Sequence, residues 1–272
     1  MAKVLGESGR YVSDAAQKEW RKLILFAFIG IGLLGVGEGF VLSSFLPSVR
    51  LPPWAKAILL ISAIPAALVL WKWTSRKMDE IGKKRMAFSR GADGENQVAR
   101  VLSSFPDDFH IIHDLATPFG NVDHVVTGPT GVFLLDTKAW RGVISPDGKG
   151  ELLINGQPTD KPHVRPFLGR MLDIRDKVRT LAPGLDPFYQ AVFVFTSARV
   201  EAKWGTTSSV HCVRDEQLYD YIVEKKFGKH LHPEEVQTLA QAFLALAHMD
   251  RDFTERSSSR ESPPRRPDQT VR

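Results

Sequence analysis

Residues 121–138 read Asn121-Val122-Asp123-His124-Val125-Val126-Thr127-Gly128-Pro129-Thr130-Gly131-Val132-Phe133-Leu134-Leu135-Asp136-Thr137-Lys138. Two β-type apolar runs flank a Gly-Pro-Thr-Gly turn, which signals a hairpin. With the turn centred on Pro129 and Thr130, Asp123 lies directly opposite Asp136. Opposed residues have Cβ atoms about 4.5–5.5 Å apart. Side chains alternate along a strand, so Lys138 shares the face of Asp136. Two carboxylates and an amine thus converge on one face of an apolar hairpin. Facing carboxylates repel unless something compensates them. A divalent cation does so, and that chemistry points to phosphodiesters.

The flanking sequence reads as an α/β domain. Glu95 to Phe105 carries Val98, Val101, Leu102 and Phe105 at helical spacing, with Asp93 as its N-cap. Strands are expected over Phe109–Leu115, Gly142–Ser145, Leu152–Ile154, Gln190–Thr196 and Val210–Val213. The run from Gln190 is continuously apolar, as in a central strand buried on both faces. Phe167–Leu181 forms an amphipathic helix with Met171, Leu172, Ile174 and Val178, and helices follow over Asp215–Lys225 and Pro233–Met249. This order implies a mixed sheet flanked by helices.

Before this domain lie two apolar runs, Leu23–Leu46 and Ala57–Trp73, separated by Pro47, Pro52 and Pro53. A spanning helix needs about 20 apolar residues. The runs read as a transmembrane helical hairpin over 23–73, with Lys72 snorkelling and Trp71 and Trp73 in the interfacial belt. A signal peptide is the other reading, disfavoured because the first run is too long and a second follows. Basic residues crowd both flanks (Lys18, Arg21 and Lys22 before; Arg76, Lys83, Lys84 and Arg85 after), which sets both ends in the cytoplasm. The expected organisation is a cytoplasmic segment 1–22, the hairpin (about 23–46 and 57–73), a basic juxtamembrane linker 74–90, a globular domain 91–250 and a disordered Arg/Ser/Pro-rich tail 251–272. The expected location is the inner (plasma) membrane, multi-pass, with the globular domain inside. Gly35 and Gly39 form a GxxxG pair suited to close helix packing.

The 272 residues carry a net charge of +5, a weak pointer to nucleic acid or an anionic bilayer. Cys212 is the single cysteine, which excludes an intrachain disulfide and a CxxC zinc site.

Four blocks in order, Gly91-Ala92-Asp93-Gly94-Glu95, Gly120-Asn121-Val122-Asp123-His124, Gly131 to Lys138 and Trp140-Arg141-Gly142, resemble the nuclease-related domain family, NERD. The resemblance covers about residues 88–200. It implies the restriction-endonuclease-like fold and a PD-(D/E)xK site, with Asp123 and Asp136 as the two acids, Lys138 as the lysine and Glu95 as the helix-borne acid. Val122 stands where the motif has proline. The family chemistry implies Mg²⁺ or Mn²⁺ on Asp123, Asp136, the Thr137 carbonyl and Glu95, and cleavage of nucleic acid, expected to be DNA. Many enzymes of this fold class act as homodimers. From the residues alone, the Asp–Asp–Lys set also reads as a surface salt-bridge cluster. Glu95 also reads as an ordinary first-turn acid. Trp140 and Arg141 either grip nucleic acid or pack at the sheet rim. Arg165, Arg170, Arg175 and Arg179 read as a solvated basic face. The histidines show no ligand spacing, and His124 is expected to point away from Asp123. A non-catalytic module, binding nucleic acid or protein at the membrane, is the competing function.

Overall fold

The structure is a computed structural model that describes residues 1–5, 10–43, 52–116, 120–201, 210–224 and 229–260. Two compact units are distinguished: residues 11–90, and a second unit made of 1–10 with 91–272.

The second unit is a mixed α/β domain. Its main sheet has six strands in the order β1 (Lys3–Leu5), β2 (His110–Leu115), β3 (Val122–Gly128), β4 (Gly131–Lys138), β8 (Tyr189–Phe195) and β10 (Val210–Arg214). β2, β3 and β4 are antiparallel neighbours, while β8 runs parallel to both β4 and β10. A smaller sheet joins β7 (Gln157–Pro158), β6 (Leu152–Ile154), β5 (Gly142–Pro146) and β9 (Ala198–Val200). Apolar side chains fill both faces of the main sheet. On one face Val125, Leu134 and Phe193 meet Phe167, Met171 and Ile174 of helix α3 (Val164–Leu181) and Phe243 of α4 (Pro233–Arg260). On the other, Ile111, Phe133, Leu135 and Val192 meet Val98 and Leu102 of helix α2 (Pro53–Ser103) and Phe105 just after it. The apolar run over β8 is thus covered on both sides, the reason it shows no alternation.

The hairpin turn is buried and tied down. Gly128 pairs with Gly131. The Thr130 hydroxyl donates to the Ile222 carbonyl at 2.8 Å, and the Pro129 carbonyl accepts from the Leu231 amide at 2.9 Å. Gly131 has φ +132°, and a Cβ there would lie 2.8 Å from the Phe188 carbonyl oxygen. At Gly128 the constraint is a ring, since a Cβ would come within 2.2 Å of Phe109.

Several expectations need correction. The helix expected to start near Glu95 behind an Asp93 cap is the end of α2, which runs unbroken from Pro53 and absorbs the 74–90 linker. That stretch lacks proline, and Glu80 bridges Lys77 and Lys84 at 3.1 and 3.3 Å, the spacing that supports a helix. Lys3–Leu5, read as part of a plain terminal segment, adds a parallel strand beside β2. The helix expected over 215–225 is a 3₁₀ turn (Asp215–Gln217) followed by a π turn (Asp220–Glu224). Leu172, counted on the buried stripe of α3, is exposed. α4 runs to Arg260, ten residues into the expected disordered tail, while 261–272 lie outside the described residues.

Residues 11–90 hold helix α1 (Arg10–Ser43, apart from its first residue) and most of α2. Gly30 lies against the Thr74 methyl, Phe26 meets Trp73 edge-on at 6.1 Å, and the Arg85 guanidinium covers the Trp20 ring. Among the described residues, no helix is long and apolar enough to cross a membrane. The expected pair of spans is therefore not supported by the structure, and the connection at 44–51 lies outside the described residues.

Gly128→Ala should lower stability by about 2–3 kcal/mol, because the added methyl forces Phe109 from its buried position. Gly169→Ala, in α3 with open space at its Cβ position, should raise stability by about 0.5–1 kcal/mol. Thermal unfolding of both variants checks the pair.

Candidate active site

The β3–β4 register carries Asp123 and Asp136 to the same level. His124 faces Leu135, and one step further Asp123 faces Asp136. An Asp123 carboxyl oxygen accepts the Thr137 amide at 2.6 Å, which holds it at the end of the hairpin. Asp136 is 6% exposed. One of its oxygens accepts from Lys138, and the other accepts from Arg170 Nη2 at 3.3 Å. The Lys138 ammonium also lies 5.4 Å from the centre of the Phe193 ring.

Glu95 arrives from α2. Gly94, just before it, is buried against the end of β4, and a Cβ there would lie 3.4 Å from both the Thr137 methyl and Ala139 and 3.2 Å from the Thr196 hydroxyl. A larger residue would push the helix away, so Gly94 sets how closely Glu95 approaches the sheet. Glu95 is 8% exposed. Burial, then the charges of Asp114 and Asp136, raise its carboxyl from 4.5 to about 7, against an opposing pull from Lys138. Burial, then Asp136 and Glu95, hold the Asp123 carboxyl well above its ordinary range, although Lys138 and the Thr137 amide oppose the shift. Three carboxyl groups therefore share one electrostatic environment. The opposed acids are met by Lys138 and Arg170 on Asp136 and by the Thr137 amide on Asp123.

Two groups of residues complete this corner. Arg170 Nη1 donates to the Asn121 carbonyl at 2.5 Å, and the Asn121 amide donates to Asp114 at 2.9 Å. Asp114 has φ +56°, the sparsely populated region that an Asp tolerates better than most residues. Neither Arg170 nor Asp114 was singled out from the sequence as a site residue. Arg170 was legible in principle, because it falls at helical spacing between Phe167 and Ile174, inside the buried stripe. Trp140 meets His163 edge-on at 4.7 Å and Phe195 at 5.7 Å, so its ring packs at the rim of the core. Arg141 is exposed.

His124 and His113 face each other across β3 and β2, with Nδ1 atoms 2.7 Å apart. Burial holds both rings below their ordinary pKa, His124 strongly so. One neutral ring therefore donates to the other. By alternation they lie on the face opposite Asp123.

Among the described residues, no three His, Cys, Asp or Glu side chains already stand where they would hold a metal ion. The donor chemistry nonetheless fits a hard divalent cation. It consists of carboxylate oxygens whose mutual repulsion raises proton affinity, and a cation relieves the same repulsion.

The raised Glu95 value makes stability depend on pH. The folded chain binds more protons than the unfolded one between 4.5 and about 7, so stability falls as pH rises through that window. Glu95→Gln should raise stability at pH 8 by on the order of 2 kcal/mol in metal-free buffer. The gain should vanish below pH 4.5, the ordinary value for this carboxyl. Thermal melts across pH check both signs.

Residues 90–195 match the family model described as nuclease-related domain, NERD. An uncharacterized protein of Bacillus anthracis is 33% identical over 73 residues, which are 25% of this chain and 34% of that protein. The matched region is thus about a third of that relative's length. No solved structure matches the chain. Sequence match and site-bearing hairpin coincide: residues 90–195 of this chain are a nuclease-related domain, within the restriction-endonuclease-like superfamily.

Proposed function

We propose that the chain is a divalent-metal-dependent nuclease that hydrolyses phosphodiester bonds, with DNA as its substrate. The observation that carries this reading is the convergence of Asp123, Asp136 and Glu95 beside Lys138 in a nuclease-related domain. Asp123, Asp136 and Glu95, with the Thr137 carbonyl, would hold Mg²⁺ or Mn²⁺. When bound, such an ion lowers the pKa of a coordinated water and stabilises charge on a phosphate. Lys138, paired with Asp136 and 19% exposed at its side chain, would orient the attacking water or offset charge on the phosphate. Arg141 offers an exposed cation for backbone phosphates, and Trp140 a partly buried ring beside it. Glu95 holds its proton up to about pH 7, so metal affinity and cleavage should rise with pH through that value.

A second reading has one observation in its favour. Asp136 already pairs with both Lys138 and Arg170, so its charge is compensated without a metal ion, which suits a domain that binds nucleic acid or protein without cutting.

For the helices of residues 11–90 we propose attachment to a lipid bilayer, with the nuclease-related domain on the cytoplasmic side. Ile24, Leu25, Phe28, Ile29 and Ile31 of α1 are exposed, as are Ile58, Ile61, Leu68, Val69, Trp71 and Trp73 of α2. Apolar side chains at that density favour an apolar phase over water. A homodimer is a further proposal, resting on the family resemblance.

The full chain in detergent should cleave labelled DNA only with Mg²⁺ or Mn²⁺, and Asp136→Ala or Lys138→Ala should cut the rate at least about 100-fold. Metal-independent cleavage, or cleavage unaffected by either change, would remove the catalytic reading. DNA binding without cleavage would leave the binding module. Expressed in cells, the chain should remain in the membrane fraction through a high-salt wash. Release by salt alone would sink the lipid proposal.

A further inference from the structure

Arg170 belongs to none of the four sequence blocks that mark the nuclease-related domain, yet it reaches the centre of the site. Its helix α3 lies across the Asp136 face of the sheet, where Phe167 stacks on Phe193 with ring centres 5.0 Å apart. The guanidinium is held unequally. Nη1 makes a short 2.5 Å bond to the Asn121 carbonyl, whereas Nη2 meets Asp136 at 3.3 Å. Gly120, next to Asn121, has φ +114°, a conformation that side-chain-bearing residues rarely adopt, and it lies in van der Waals range of the Arg170 guanidinium. The Arg170 side chain keeps 18% of its surface in solvent. It is therefore anchored at one nitrogen and loosely attached at the other, with an open side. Lys138 occupies the remaining oxygen of Asp136. A divalent cation on Asp136 must compete with one of these two cations, and the longer contact is the weaker competitor.

We propose that Arg170 is an exchangeable phosphate ligand: Asp136 holds its Nη2 until a divalent cation arrives, and the released fork then takes a phosphate oxygen of the substrate. The proposal rests on the nuclease reading above. A planar fork with one fixed nitrogen suits a phosphate because its donors arrive already oriented. The exchange also keeps the site's charge balanced, as the cation's charge replaces that of the guanidinium on Asp136.

The test exploits opposite signs. On the full chain in detergent, Mn²⁺ affinity is measured from the paramagnetic resonance signal of free Mn²⁺, without nucleic acid. Affinity for a fluorescent single-stranded oligonucleotide is measured by anisotropy in Ca²⁺. Arg170→Ala should tighten Mn²⁺ binding about fivefold, by removing a competitor, and weaken the oligonucleotide about tenfold. Arg170→Lys, which keeps the charge and loses the fork, should move both in the same directions by less. It carries the test if the alanine variant does not fold. A purely structural Arg170 would weaken both affinities together, and that result, or an unchanged oligonucleotide affinity, would overturn the proposal while leaving the nuclease reading intact. A wild-type chain that binds no Mn²⁺ would overturn both.

Discussion

The pairing of β3 with β4 is the constraint on which the site depends. A slip of one residue would send every side chain of one strand to the other face of the sheet. Asp136 would then enter the core lined by Phe133 and Leu135, and the face now holding the acids would receive apolar groups. Burial of Val125, Val126, Leu134 and Leu135, on alternating faces, makes such a slip costly. The turn adds a second lock, because Thr130 and Pro129 are bonded to the segments at Ile222 and Leu231. Core packing and site geometry are thus one register, specified by hydrophobic residues that take no part in chemistry.

The hairpin was legible in the sequence because everything it needs is local: two apolar β-type runs, a four-residue turn and the period of two. The strands expected from Gly142, Leu152 and Gln190 and the helix over Phe167–Leu181 were legible for similar reasons. What escaped depends on distance along the chain. Three residues, Lys3–Leu5, carry no periodicity, and their strand exists because β2 offers an open edge. The continuity of α2 was hidden by the change of composition at Gly91 and by Asp93, which read as a helix cap. Arg170 meets a carboxylate 34 positions away, and its neighbours Arg175 and Arg179 disguised it as one more solvated charge. The mutual repulsion of Asp123, Asp136 and Glu95 was foreseeable from the opposed acids. Its resolution by Lys138 and Arg170 required coordinates.

The site stores electrostatic energy. Burying Glu95 and Asp123 beside Asp136 costs the folded chain stability above neutral pH, a cost that apolar packing on both faces of the sheet must offset. Functional sites commonly carry such frustration, and here it is concentrated at the end of β4 where α2, α3 and the hairpin meet.

β1 has a consequence for how the chain is made. Lys3 pairs with His110 and Leu5 with Ile112, so the sheet is closed by residues more than a hundred positions apart. On the ribosome, Lys3–Leu5 must wait with their edge unsatisfied until β2 has emerged, while the whole stretch between them, including all of α1 and α2, is synthesised first. The entropy of closing so long a loop grows only slowly with its length, so the delay is kinetic more than thermodynamic. The unit that bears the site is therefore discontinuous in the chain, and its edge strand β1 can pair only after the intervening helical segment has been synthesised.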